Sequence, residues 1–254
     1  MSSSNSLHRW RQDADGKIKI YCFPHAGAGA SITKNLALNA PSWIEIITIR
    51  LPGRETRFLE EPITNINEAV KIITGEIKED CLRHESDFLL MGQCSGSILA
   101  YNIALQLQDC SHFKGLIVCS RPSPNTDLDK LDLDVSDIEF IQQIENIGGI
   151  DKSIIAEPSL LELLLPSIKA DFKMFNDYEF VLEEPLPIPI LAVRGNNDAS
   201  IDMELFSGWN EFTNDSAIIK DIDGGHFLFE HSWSHLLSCI EEFILSKKIT
   251  KVLG

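Results

Sequence analysis

Residues 92–96 read Gly-Gln-Cys-Ser-Gly and close an apolar run, "DFLLMG" (87–92). A reactive side chain with a glycine two positions to either side, set between a strand and a helix, has the pattern of a nucleophile elbow. The backbone of such a turn is strained and side chains at the flanking positions would clash, so glycine there is a steric requirement. Cys94 is the candidate nucleophile, and the helix start that follows it favours thiolate over thiol. A nucleophile of this kind needs a base, and the base needs an acid to orient it. His226 in "DGGHFLFE" is the candidate base, with Gly224 and Gly225 letting the backbone come close to another element. Asp198, in the loop after "ILAVRG", is the candidate acid; Asp202 and Asp171 are the alternatives.

Attack on a carbonyl also requires N–H donors for the oxyanion. The backbone N–H of Ser95 is one, its side chain being irrelevant to that task. Ala26, in the small-residue loop "FPHAGAGAS" (23–31), supplies the other. His25 and Gly27 in the same loop, and Gln93 in the elbow, are candidate substrate-binding residues. The loop is not read as a phosphate cradle, because neither a Walker lysine nor GxGxxG spacing is present.

These residues need a scaffold, and its pattern is regular. β-Rich runs recur at 18–23, 44–50, 87–92, 115–120, 188–194 and 217–222, several apolar on both alternations, as strands covered on both faces are. Ile66, Val70, Ile73, Ile77 and Cys81 define one face of a helix over 66–83, and 96–109 and 231–247 behave similarly. Alternating strand and helix predicts an α/β fold, a mostly parallel central sheet flanked by helices. A long interval, approximately 122–180, breaks the rhythm. It opens polar and turn-rich, then turns helical through "PSLLELLLPSIKADFKMF", and is expected to form a helical lid over an apolar site. The 254 residues are expected to make one domain carrying this insertion.

Composition limits the partners. A net charge of −16 argues against nucleic acid or an anionic membrane surface. The first ten residues lack an apolar h-region, and no run approaches the roughly 20 residues of a membrane span. A cytoplasmic monomer is expected, with its six cysteines as free thiols. Cys22 and Cys119, in mid-strand, are expected in the core. His231 and His235 lie four apart in "HSWSH" but lack the glutamate of a zinc helix; a solvated face is expected and no metal.

In chain order, nucleophile–acid–histidine is the arrangement of α/β-hydrolases. Together "CFPHAGAGAS", "LPGRETR" (51–57), the elbow, "LLPSIKADFKMFNDY" and "DGGHFLFEH" resemble the type II thioesterases of polyketide and nonribosomal peptide biosynthesis, over about residues 18–245. The resemblance implies an α/β-hydrolase fold with a helical lid. It also implies hydrolysis of acyl groups presented on the phosphopantetheine arm of an acyl or peptidyl carrier protein, with no bound cofactor. It maps Cys94, Asp198 and His226 to nucleophile, acid and base, and Ala26 and Ser95 to the oxyanion donors. The family usually reads Gly-His-Ser-Met-Gly at the elbow, so three of five residues differ here.

The cysteine matters chemically. Serine would convert a thioester into an oxygen ester, whereas Cys94 exchanges thioester for thioester and keeps the acyl group activated. Hydrolysis through a Cys–His–Asp triad is therefore one reading. Passing the acyl group to a second carrier, an amine or a carbon nucleophile, as an acyltransferase or cyclase, is another. A non-catalytic carrier-binding protein ranks last, because decay would have damaged the glycines and the histidine too. A dienelactone-hydrolase-like enzyme also uses a cysteine elbow, but "FPHAG" and "LPGRE" speak against it. Arg50, Arg54 and Arg57 are open between docking an acidic carrier or phosphate and structural ion pairs. The substrate's acyl group is a small molecule whose identity the sequence leaves open.

Overall fold

The computed structural model describes residues 6–11, 18–126, 130–147, 149–150 and 152–249. Among the described residues seven strands form one sheet: β1 (Leu7–Arg9), β2 (Ile18–Phe23), β3 (Ile44–Ile49), β4 (Asp87–Gln93), β5 (Phe113–Cys119), β6 (Ile190–Gly195) and β7 (Ala217–Ile222). Their spatial order is β1-β3-β2-β4-β5-β6-β7, all parallel except β1, which runs antiparallel to β3. The helices are α1 (Lys34–Asn39), α2 (Ile66–His84), α3 (Ser95–Leu107), α4 (Asp137–Asn146), α5 (Lys152–Ile155), α6 (Pro158–Asn176), α7 (Met203–Ser207), α8 (Leu228–His231) and α9 (Trp233–Ser246).

Strand alternation divides the core in two. Ile18, Ile20 and Cys22 of β2 face one apolar cluster with Leu89 and Met91 of β4 and residues of α1 and α9. Tyr21 and Phe23 face the other, with Phe88, Leu90 and the buried stripe of α2 and α3. Central strands covered on both faces explain why their sequences carry no polar alternation. The α2 stripe is the predicted one: Ile66, Val70, Ile73, Ile77 and Cys81 are all buried. Asn65 caps that helix by accepting the Glu68 N–H at 3.1 Å.

The strand-to-helix turn after β4 is where the glycines are needed. Cys94 adopts φ 52°, ψ −124°, a left-handed conformation costly for a side-chain-bearing residue. A Cβ on Gly92 would collide with the backbone of Gly96 and Ser97, and one on Gly96 with the carbonyls of Phe23 and Pro24. The turn is pinned from below: the Cys94 N–H donates to the Cys119 carbonyl (2.8 Å) and the Ser97 hydroxyl to the Gly92 carbonyl (2.8 Å).

Between β5 and β6 the chain leaves the sheet and builds α4, α5 and α6 around a third, smaller apolar cluster that includes Phe140, Ile144, Leu161 and Ile168. Part of this insertion's polar opening, 127–129, lies outside the described residues. Among the described residues no helix is long and apolar enough to cross a membrane.

Candidate active site

The ends of β4, β6 and β7 bring three side chains together. Asp198 follows β6 and is buried; His226 follows β7; Cys94 sits at the elbow, half-buried. His226 Nδ1 and Asp198 Oδ2 are 2.7 Å apart. The other carboxylate oxygen accepts the Ser200 hydroxyl (2.5 Å) and its N–H (3.1 Å), which turns Oδ2 towards the imidazole. Ser200 is signalled in the sequence only by Asp-x-Ser in a loop, a common turn pattern. Asp202 instead caps α7, accepting the N–H groups of Glu204 and Leu205. Asp171 pairs with Arg54. Of the three acids considered, Asp198 is the one bonded to His226.

The electrostatics favour an ion pair. Burial pushes the Cys94 thiol up, but the charge and hydrogen bond of His226, with smaller help from Arg121 and His25, outweigh it and bring the thiol down to about 6. Burial lowers His226, yet the Cys94 sulfur and the Asp198 carboxylate together raise it to about 10. For Asp198, burial is outweighed by its bonds to His226 and Ser200, and its pKa falls. Between these limits the pair stands as thiolate and imidazolium, titrating as one unit. Cys22 and Cys119 are fully buried and their thiols are pushed well up, which makes them packing residues.

A pH prediction follows from those signs. Alkylation of Cys94 by iodoacetamide should gain rate as pH rises through about 6 and then level off, whereas an ordinary thiol gains through about 8.5. His226→Ala should move the midpoint upwards, because the main charge holding the thiol down is gone. A wild-type midpoint near that of an ordinary thiol would refute the ion pair.

Two of the expected substrate-binding residues, one in the glycine loop and one in the elbow, need correction. Gly27 does not line the site: its N–H donates to Asp171 Oδ2 (2.7 Å), and at φ +79° it faces α6 so closely that a Cβ would lie 2.7 Å from Ile168 Cγ1. Gln93 is fully buried below the elbow, its side-chain oxygen accepting the Phe229 N–H at 2.7 Å, so it braces α8 and does not reach substrate. His25 does line the site, with its ring 4.7 Å from that of Phe227 and Nε2 3.6 Å from the Glu230 carboxylate.

The Ser95 side chain makes a contact of its own. Its hydroxyl oxygen accepts the Ala26 N–H at 2.8 Å and so occupies one of the two candidate oxyanion donors. Arg54 and Arg57 resolve as internal: Arg54 bonds Asp171 through both terminal nitrogens, and Arg57 bonds Glu60, Ser6 and the Arg50 carbonyl. His231 and His235 are exposed, and among the described residues no cluster of three or more His, Cys, Asp or Glu could hold a metal.

Over the three side chains lies a cavity of about 610 Å³, walled by Cys94, His226 and His25 at one end and by Phe172, Phe175 and Phe180 from α6 and the segment after it. A mostly parallel sheet, a strained strand-to-helix turn and an Asp–His pair behind it make an α/β-hydrolase fold. The thioesterase-domain family model matches residues 18–244, and the chain belongs to the thioesterase family. It is 28% identical over 239 residues to the gramicidin S biosynthesis protein GrsT of Aneurinibacillus migulanus, covering 91% of this chain and 92% of that one. It is likewise 28% identical over 249 residues to the probable anguibactin biosynthesis thioesterase AngT of Vibrio anguillarum, covering 94% of each. The type II thioesterase BorB from the borrelidin biosynthetic cluster has the same fold, with TM-score 0.83 and 23% identity over 95% of this chain and 98% of that one.

Proposed function

We propose that this chain is a type II thioesterase of nonribosomal peptide or polyketide biosynthesis, acting on carrier-bound acyl thioesters through a Cys94 acyl-enzyme. The observation that carries the reading is the meeting of Cys94 and His226, the latter bonded to Asp198 at 2.7 Å, in the wall of a cavity of about 610 Å³, large enough for an acyl group. The biosynthetic roles named for GrsT and AngT point the same way.

The sulfur attacks the thioester carbonyl, and the oxyanion forms against the Ser95 N–H. The intermediate collapses with cleavage of the bond to the arm's sulfur, which takes the proton of the His226 imidazolium and leaves as a thiol. His226 is then neutral, held by Asp198, and ready to deprotonate water. Attack of that hydroxide on the acyl–Cys94 thioester releases the acid and regenerates the thiolate. Transfer to a second acceptor is the rival outcome, and the sulfur at 94 favours it because the acyl-enzyme remains a thioester. A carrier protein loaded with a labelled acyl group separates them. Free acid appearing in water supports hydrolysis; label that stays on Cys94 until a second thiol or amine is added supports transfer. No label on Cys94 and no release overturns both.

The Ser95 hydroxyl bears on the rate. For Ala26 to serve the oxyanion, its N–H must leave Ser95 Oγ, giving up a hydrogen bond worth about 1 kcal/mol. Ser95→Ala frees that donor, and the acylation rate measured in a single turnover is expected to rise by up to about fivefold. A tenfold fall would mean that the hydroxyl itself donates to the oxyanion.

A further inference from the structure

The cavity has a charge of its own. Among the described residues its walls hold two fixed cations, Arg121 and Lys130, and no aspartate or glutamate. The whole chain, by contrast, carries 38 acidic residues against 22 basic. Arg121 lies two residues beyond the end of β5, and its carbonyl is anchored by the indole N–H of Trp209 at 2.8 Å. Its guanidinium forms no hydrogen bond or ion pair with any described residue, and Nε is buried without a partner. Elsewhere Arg9, Arg54, Arg57, Arg83 and Arg194 are all paired with carboxylates.

The residue before it is an independent oddity. Ser120 is fully buried and takes φ +49°, a conformation uncommon for a residue with a side chain. The residue borders the same cavity, and its buried hydroxyl has no partner among the described residues. Backbone strain and orphaned polar groups are both costly, and they cluster where a ligand is received.

Position selects the ligand. Arg121 lies two residues beyond Cys119, whose carbonyl accepts the Cys94 N–H, and lines the same cavity as Cys94, so it stands at the reacting end of the cavity. The phosphate of a pantetheine arm lies a full arm's length from the thioester sulfur. What reaches Arg121 is therefore the part of the acyl group next to the carbonyl. A guanidinium binds a carboxylate through two parallel N–H donors, and here it would also offset repulsion between that carboxylate and the Cys94 thiolate.

We propose that Ser120 and Arg121 form an acyl-recognition subsite selecting acyl groups with a carboxylate within a few bonds of the thioester carbonyl, the half-thioesters of short dicarboxylic acids. This rests on the Cys94 acyl-enzyme reading. The test loads a carrier protein with labelled malonyl or butyryl groups of similar length and compares acylation of Cys94 in wild type and Arg121→Met. Wild type is expected to favour malonyl by about 10- to 100-fold, as charge-assisted hydrogen bonds would give, and Arg121→Met to bring the ratio near one. Because both substrates meet the same thiol, any change in its ionisation cancels in the ratio. On the wild type alone, free malonate should slow alkylation of Cys94 and the neutral butyramide should not, which decides the matter if the variant does not fold. Efficient butyryl transfer with no malonyl preference, or a preference unchanged in Arg121→Met, overturns the subsite and leaves the Cys94 reading standing. Failure of both acyl groups to label Cys94 overturns the reading beneath it.

Discussion

Cys94→Ala is expected to cut acyl release from a loaded carrier by about 10⁴-fold or more, because the covalent route disappears and only binding and oxyanion stabilisation are left. Cys94→Ser is the more informative change. It restores the atom the family usually places there, but a hydroxyl has no accessible anion at neutral pH and must lose its proton to His226 during attack. His226 is held as imidazolium in the wild type largely by the Cys94 sulfur, so with serine it should return towards neutrality and be able to act as that base. Slow hydrolysis is therefore expected to survive in Cys94→Ser, at roughly a tenth to a thousandth of the wild-type rate, on the scale of a general-base contribution. Exchange should not survive. An oxygen ester lies below a thioester in free energy, so the trapped acyl group should no longer pass to an added thiol. Acylation by labelled carrier followed by a thiol chase reads both outcomes. Label on Ser95 or another residue, or release by Cys94→Ala at the wild-type rate, would remove Cys94 from the chemistry.

How far the sequence leads depends on whether a feature is local. Six strands and the three long helices outside the insertion were legible because burial on two faces or one leaves a local pattern. β1 was not: Leu7–Arg9 is three residues long, half-buried, and exists as a strand only through pairing with β3. Within the insertion α6 was readable from its apolar density, whereas α4 was not, although Ser136 and Glu139 form a capping box that announces it. That Cys94, Asp198 and His226 would come together at the strand ends was readable because glycines and chain order constrain them. Gln93 was misassigned because a residue beside a reactive one in sequence can point to the opposite side of a strained turn, and Gly27 because its N–H is taken by Asp171, 144 residues away. The Ser95–Ala26 bond joins residues 69 apart, and the Arg54–Asp171 pair residues 117 apart. No local pattern encodes such contacts; they exist only once the sheet has brought its loops together.

That last pair sets the second large effect. Arg54 and Asp171 are 3% and 2% exposed and joined by two bonds of 2.7 Å. Asp171 Oδ2 also accepts the Gly27 N–H at 2.7 Å, and Arg54 donates to the Ala28 carbonyl at 2.9 Å. One ion pair thus clamps α6, which carries cavity wall, to the loop that carries Ala26. Asp171→Ala leaves a buried guanidinium without its counter-charge, and the expected loss is about 3–5 kcal/mol. For a chain of this size that lowers the melting temperature by roughly 6–20 °C. Stability and positioning are separable with the double change Arg54→Met, Asp171→Leu. Apolar side chains of similar volume should recover most of the stability, since a buried pair is seldom worth more than good packing. They cannot hold the Gly27 N–H or the Ala28 carbonyl, so the rate of Cys94 acylation should stay well below wild type while the melting temperature returns. If the double variant regains both, the pair fills space and the loop positions itself. If Asp171→Ala melts within a degree of wild type, the pair is not the clamp that its geometry describes.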